Sequence, residues 1–374
     1  GTHYFFFFFY SDLWSQRVSG FSSDICILLR GDSQSIQPRK EQSLEKPMSQ
    51  LVTIFGGSGF VGRYIARRMA KQGWRVRVAV RRPNEALFVK SYGAVGQVEP
   101  VFCNIRDDGS VTAALENADA AVNCVGTFDR LGKNNFKAVQ EDGAARIARL
   151  SATNGVQSLV HISSLASASL SESEYAQSKR AGEVAVLSHM PQAYIFRPSV
   201  VFGPEDQFFN RFASMAQTGP ILPFAGAATR FQPVYVDDIA QAVEIALTRE
   251  TAAGTYELGG PEIIDFAGLM TRMLAVIERR RLLVNIPFFL ARPMAAGFDF
   301  LETVTLGLFK NGILTRDQLK DLTVDNIVSE TAKGFADMGI EPTSLEAILP
   351  EYLWCYRPSG QYAAIKASAK NLTQ

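Results

Sequence analysis

Cysteine and histidine are scarce in this 374-residue chain, and neither is clustered. The four cysteines, Cys26, Cys103, Cys124 and Cys355, form no CxxC pair, and there are only three histidines. A disulfide framework and a zinc site are therefore not expected, and a reducing compartment is the default. An excess of charge is missing too. The 38 basic and 37 acidic residues leave a formal net charge of +1, so composition offers no global attraction for nucleic acid. Long apolar runs are also absent: no stretch approaches the roughly 20 apolar residues that span a bilayer. The greasiest region, Ile286 to Phe309, is interrupted by Arg292, Pro293, Asp299, Glu302 and Gly307. It suits a surface or a groove, and its aromatics fit a packed core equally well.

What remains is ordinary globular material, 47% hydrophobic and 20% charged. The length allows one large domain, or a domain with a smaller lobe. Residues 1–50 read as lying outside the fold. Tyr4 to Tyr10 is an aromatic run too short to span, without the basic start or small-residue cleavage site of a signal peptide. Ser33 to Ser49 is polar and has no apolar period. A disordered leader, tag or mis-called upstream segment is expected there, with Met48 as the start; a cleaved targeting segment is the alternative.

From Leu51 the pattern alternates. Short β-rich runs at Leu51–Phe55, Trp74–Val80, Glu99–Cys103, Ala120–Val125, Ser158–Ser163 and Ala193–Phe196 are predicted strands. Helical spacing falls between them, at Phe60–Lys71, Gly109–Leu115, Asn135–Asn154 and Tyr175–His189. Strands alternating with helices imply right-handed βαβ units, hence an α/β Rossmann-type doubly wound parallel sheet. After Pro198 the rhythm weakens. Helices are predicted at Phe208–Gln217, Val236–Leu247 and Phe266–Glu278, a loop at Gly219–Ala225 and a short strand at Thr255–Leu258. The expected division is a nucleotide-binding domain over 51–205, rejoined by 232–247, and a smaller C-terminal α/β lobe over 206–231 and 248–345. A C-terminal tail is expected over 346–374.

Gly56-Gly57-Ser58-Gly59-Phe60-Val61-Gly62 falls between the first strand and the first helix. Small residues there let the backbone approach a pyrophosphate, and the helix N-terminus offers it unpaired N–H groups and a positive dipole end. Gly62 allows the helix to pack closely on the strand. The second strand ends Val80-Arg81-Arg82, with no acid to bind a ribose 2′-OH. Two guanidiniums suit a 2′-phosphate, which favours NADPH over NAD(H); as solvated surface charges they would carry no such preference. Tyr175-Ala176-Gln177-Ser178-Lys179 sets a phenol and an ammonium four residues apart on one helix face. The lysine is expected to lower the phenol pKa, and such a tyrosine can pass a proton to a carbonyl, with Ser164 bonding the same oxygen. His161 reads as a packed strand residue, and Arg279-Arg280-Arg281 as a solvated helix end or a contact for anionic lipid or an acidic partner.

Together, Gly56-x-x-Gly59-x-x-Gly62, Ser164, Tyr175-x-x-x-Lys179 and Arg197-Pro198-Ser199-Val200-Val201-Phe202-Gly203 resemble the short-chain dehydrogenase/reductase superfamily in its extended or atypical branch. That resemblance implies dinucleotide contacts from the glycine loop (Gly56, Ser58, Gly59, Phe60, Val61, Gly62), from Arg81 and Arg82, and from Asn104 and Ile105. It also implies them from Cys124, Val125 and Gly126, from Tyr175 and Lys179, and from Pro198 and Val201. Many relatives carry Asp where this chain has Asn104. Over roughly Leu51 to Tyr362 the chain is more specifically similar to the nucleotide-binding accessory subunit of respiratory complex I, in its bacterial, alphaproteobacterial-like branch. The residues that carry this are Phe202-Gly203-Pro204-Glu205-Asp206, Phe208–Ala213, Gln232–Ile239, Leu314-Thr315-Arg316-Asp317-Gln318 and Leu349-Pro350-Glu351-Tyr352-Leu353.

This closer resemblance implies a structural nucleotide and other complex I subunits as partners. It also implies a peripheral place near the membrane junction, with membrane-surface contact. The side would be the cytoplasmic face of a bacterial inner membrane, or the matrix side in a mitochondrion. Because Ser164, Tyr175 and Lys179 are all present, a soluble NADPH-dependent reductase or epimerase stays open, as does a nucleotide sensor without turnover.

Overall fold

The computed structural model describes residues 49–304, 315–358 and 360, apart from positions 131, 170 and 250, and gives backbone alone for 298–304. The expected leader up to residue 48, the tail from 361 and the Phe298, Phe300 and Phe309 side chains lie outside that description.

Seven parallel strands form the central sheet: β1 (Leu51–Phe55), β2 (Arg75–Val80), β3 (Val98–Phe102), β4 (Ala120–Asn123), β5 (Ser158–Ile162), β6 (Tyr194–Pro198) and β11 (Gly254–Leu258). Their order is β11-β6-β5-β4-β1-β2-β3, so the chain reverses direction across the sheet between β1 and β4. Residues alternate between two covers. Ile54, Val78, Val122 and Val160 pack with Ile65 and Met69 of α1 (Phe60–Lys71) and Ile239 and Val243 of α6 (Val236–Thr248). Phe55, Ala79, Ala121 and Leu159 face the other way. There they meet Val111 of α2 (Asp108–Leu115), Ile147 of α3 (Asp142–Thr153) and Val186 of α4 (Glu174–His189). Helices on both faces explain why β1 is buried along its whole length.

The smaller lobe holds α5 (Phe209–Thr218), α7 (Phe266–Val276), α8 (Phe288–Val304), α9 (Arg316–Asp321) and α10 (Leu345–Leu353). It also holds short strands β8 (Ile221–Phe224), β9 (Arg230–Phe231), β12 (Ile264–Asp265) and β13 (Leu282–Asn285). Its core centres on Phe266, whose ring meets those of Phe208, Phe212, Phe224 and Phe231 at centroid distances of 5.1–5.6 Å. The remaining pair, β7 (Val201–Phe202) with β10 (Val234–Tyr235), bridges the two parts of the chain.

Several expectations are corrected. The strand at 254–258 belongs to the central sheet, beside β6, and not to the small lobe. Residues 346–353 are helix, not tail: Ile348, Leu349, Tyr352 and Leu353 are buried in the lobe's core. Residues 221–224, expected as loop, pair in parallel with β13. The long helix expected from residue 135 begins instead with a π-helical turn, Lys137–Glu141, before α3. The apolar stretch divides between both of its readings. Ala291 and Ala295 are buried with Leu319, while Phe289, Leu290 and Met294 are exposed. Of the arginine run, Arg279 and Arg281 are not simply solvated; each donates to a backbone carbonyl, of Tyr356 and Ala216. No described helix is long and apolar enough to cross a membrane.

Candidate functional site

A cleft of about 290 Å³ opens at the carboxyl ends of β1 to β4, where the strand order reverses. Open α/β sheets bind ligands at such a switch point. Gly56, Ser58, Gly59, Arg81, Asn104, Ile105, Cys124, Val125 and Gly126, all expected at the site, line it together. Phe60, Val61, Gly62, Arg82, Ser164, Tyr175, Lys179, Pro198 and Val201, expected there as well, do not.

The glycine loop is shaped by its own hydrogen bonds. Gly56 takes φ +74°, which disfavours a side chain; its N–H donates to Ala79 O at 3.0 Å, and Gly59 N–H donates to Gly56 O at 2.9 Å. Gly62 stands behind the loop, where a Cβ would lie 2.5 Å from Gly56 O and 2.6 Å from Gly57 Cα. No side chain caps α1 and no acid occupies its first turn, so its amides and dipole are available to an anion. Arg63 braces the loop from below. It donates to Ser58 O at 3.1 Å and Gly59 O at 3.3 Å and pairs with Glu205 at 3.1 Å.

At the far end, Arg81 lies exposed on the cleft rim, whereas Arg82 is drawn aside to Glu85 at 3.0 Å. Asn104 turns its amide oxygen to the N–H of Arg106 at 3.2 Å. Arg106 also lines the cleft, as do Thr127, Asp129 and Asn134, none of which sequence reasoning singled out. Their loop follows β4, and only folding brings it across from β3. Arg106 donates to Lys133 O at 3.1 Å, joining the two sides. Gln140 was likewise missed. From the π-helical turn it donates to Thr127 O at 2.7 Å and accepts from Ser178 at 2.6 Å, fastening the loop to α4. The π-helical turn that carries Gln140 has no marker in the local apolar period, although such turns recur at functional sites.

Behind Gly126, outside the cleft lining, stands the Ser164, Tyr175 and Lys179 set. Lys179 is buried, donates to Ile162 O at 3.3 Å, and lies 3.8 Å from where a Cβ on Gly126 would stand. Burial pulls its pKa down to about 8, against the upward pull of Glu183 and Cys124. The Tyr175 ring stacks on Phe128 at 5.4 Å and meets Phe136 edge-on at 6.0 Å. Its phenol is not lowered as expected. Desolvation pushes it up to about 12; the Ser164 hydroxyl, hydrogen-bonded to it, pulls the other way, and Asp321 adds to the rise. Lys179 is turned to a carbonyl, so desolvation wins. A phenol held protonated can donate to a developing oxyanion, which is the acid half of carbonyl reduction. Cys124 is pushed up to about 12 by burial and is no nucleophile at neutral pH. No group of three or more potential ligands for a metal ion occurs among the described residues.

An open glycine loop at the switch point and a Ser/Tyr/Lys set beside it define a nucleotide-binding protein of the short-chain dehydrogenase/reductase type. The chain belongs to the NAD dependent epimerase/dehydratase family, whose pattern matches residues 52–259. Its similarity runs further along another line. It is 33% identical over 316 residues to NADH dehydrogenase (ubiquinone) 1 alpha subcomplex subunit 9, mitochondrial, of Arabidopsis thaliana, covering 83% of this chain and 79% of that one. It is 32% identical over 319 residues to the NADH-ubiquinone oxidoreductase 40 kDa subunit, mitochondrial, of Neurospora crassa, covering 85% and 82%. A ceramide reductase of Caulobacter vibrioides is 32% identical over 208 residues, 56% of this chain and 64% of that one. Among solved structures, gox2253 superposes with a TM-score of 0.63 at 21% identity, covering 84% and 99% of the two chains. WbmG of Bordetella bronchiseptica, in complex with NAD, gives 0.56 at 16% identity, covering 65% and 83%. Both structures share the fold.

Proposed function

We propose that this chain is an accessory subunit of a membrane-bound NADH:quinone oxidoreductase, respiratory complex I, and that it holds NADPH in a structural role. The observation that carries this is the reach of the similarity. It spans both the dinucleotide domain and the small lobe in relatives named as subunits of that enzyme. The cleft fits a dinucleotide: a cradle that a Cβ at Gly62 would fill, uncapped α1 amides for the diphosphate, and Tyr175 and Lys179 beyond Gly126 for the nicotinamide ribose. NADPH rather than NADH rests on Arg81 at the end of β2, where a ribose-binding acid is absent. A nucleotide held at a hundred times its Kd would stabilise the fold by about 2.7 kcal/mol. Phe289, Leu290 and Met294 of α8 are the face offered to other subunits or the lipid surface, on the cytoplasmic side in a bacterium or the matrix side in a mitochondrion.

The test is fractionation of detergent-solubilised membranes. The chain should co-elute with a large assembly that oxidises NADH and reduces quinone. Elution alone, from the soluble fraction, overturns the reading.

A second reading, an NADPH-dependent reductase, has one observation in its favour. Ser164 and Tyr175 are paired, Lys179 stands behind Gly126 of the cleft, and a relative at 32% identity is named a reductase. It requires NADPH oxidation with a carbonyl substrate that is lost in Tyr175→Phe.

A further inference from the structure

Residues 315–318, the described part of the later motif, have no part in the cleft, yet the fold brings them to the helix that bears Tyr175. Asp317 of α9 is buried, and its carboxylate accepts from Glu174 N–H at 2.7 Å and Tyr175 N–H at 3.0 Å. These are free amides in the first turn of α4, normally satisfied by a local cap. The local cap is present as well: Ser173 accepts from Ala176 N–H at 3.0 Å. Asp317 is thus a second cap, delivered from 142 residues downstream. Its own helix is fixed on every side. Thr315 and Gln318 form a capping box, Lys320 donates to Glu172 O at 3.2 Å, and Asp321 accepts from Ser171 at 2.7 Å. Leu319 is buried against Ala291 and Ala295 of α8.

We propose that Asp317 is a positioning residue for Tyr175: by gripping the Glu174 and Tyr175 amides it sets the first turn of α4, so that the phenol faces Ser164 and the nicotinamide end of the cleft. The small lobe thereby completes a site built on the dinucleotide domain. The proposal rests on the reading of the cleft as an NADPH site. Two nearby acids also suit a tyrosine kept protonated: Asp321 raises its pKa, and an anion at the helix start offsets the dipole that would lower it.

Two probes separate this proposal from the reading beneath it: NADPH, and adenosine 2′-phosphate 5′-diphosphate, which lacks the nicotinamide riboside. Losing one buried cap should weaken NADPH binding by Asp317→Ala about tenfold and leave adenosine 2′-phosphate 5′-diphosphate within about twofold. In a Tyr175→Phe background the Asp317→Ala effect on NADPH should shrink, because the positioned hydroxyl is gone. If Asp317→Ala does not fold, Asp317→Asn decides; it keeps one acceptor oxygen and should show the same selectivity in smaller measure. Equal weakening of both probes, or of neither, overturns the proposal and makes Asp317 a purely structural cap. Wild-type protein that binds neither probe overturns the NADPH reading instead.

Discussion

The Tyr352 hydroxyl donates to a carboxylate oxygen of Asp206 at 2.6 Å, in the interior, across 146 residues of chain. Asp206 also accepts from the N–H groups of Gly203, Phe208 and Asn210, so it closes the loop after β7 and anchors α10 to it. Burial raises the Asp206 pKa against all four hydrogen bonds. Removing one bond leaves that carboxylate less satisfied. Tyr352→Phe should therefore lower stability by about 1–3 kcal/mol in urea unfolding, with nucleotide affinity measured under native conditions little changed. An unchanged midpoint would mean that the bond contributes nothing net.

Arg81 and Arg82 are adjacent but not equivalent. Arg81 lines the cleft, and Arg82 is spoken for by Glu85. Arg81→Ala should weaken NADPH by about tenfold or more and leave NADH within about threefold, whereas Arg82→Ala should move both little. Fluorescence titration of each reduced nucleotide checks it; tighter NADH than NADPH binding by wild-type protein would refute the 2′-phosphate assignment.

Gly62 has no room for a methyl group, because the contacts within 2.6 Å are backbone atoms of Gly56 and Gly57. Gly62→Ala should displace the loop or tilt α1 and weaken dinucleotide binding by at least about tenfold. Gly73, where a Cβ would meet nothing within 4 Å, serves as the control. Its positive φ of +83° strains Gly73→Ala without touching the cleft, so that variant should lose some stability and keep its affinity.

His161 is buried beside Asn123, whose amide nitrogen lies 3.1 Å from Nδ1, and burial followed by the Lys179 charge holds its pKa down to about 3. Between about 6.5 and 3 the unfolded chain binds a proton that the folded chain refuses. Stability should fall as pH drops through that window, by roughly 1.4 kcal/mol per pH unit from this residue. The difference between wild type and His161→Gln in urea melts should consequently narrow from pH 7 to pH 5. Curves that stay parallel would show that His161 does not set the slope.

Legibility followed the range of the interaction. α1 starts and stops where the apolar period predicts, Phe60 to Lys71, because a helix between a glycine loop and a Gly73 turn is set by its neighbours in sequence. The cleft's glycine loop and Arg81 were readable because each directly follows a strand, whereas Asn104 and Cys124 came only with the family resemblance. Arg106 meeting Lys133, Gln140 joining Thr127 to Ser178, and β11 joining β6 were not readable. Each depends on a pairing between segments distant in sequence, which no local period or turn chemistry records.

By itself, then, the order of residues determined the βαβ rhythm, the phosphate loop and the Tyr/Lys spacing, since period and turn chemistry act within a few residues. Tertiary structure alone decided that the Tyr175 pKa rises instead of falling, that Asp317 ties the small lobe to the start of α4, and that Tyr352 ties α10 to the loop after β7. Desolvation and buried hydrogen bonds depend on what the rest of the chain packs around a group, and that is not written beside it.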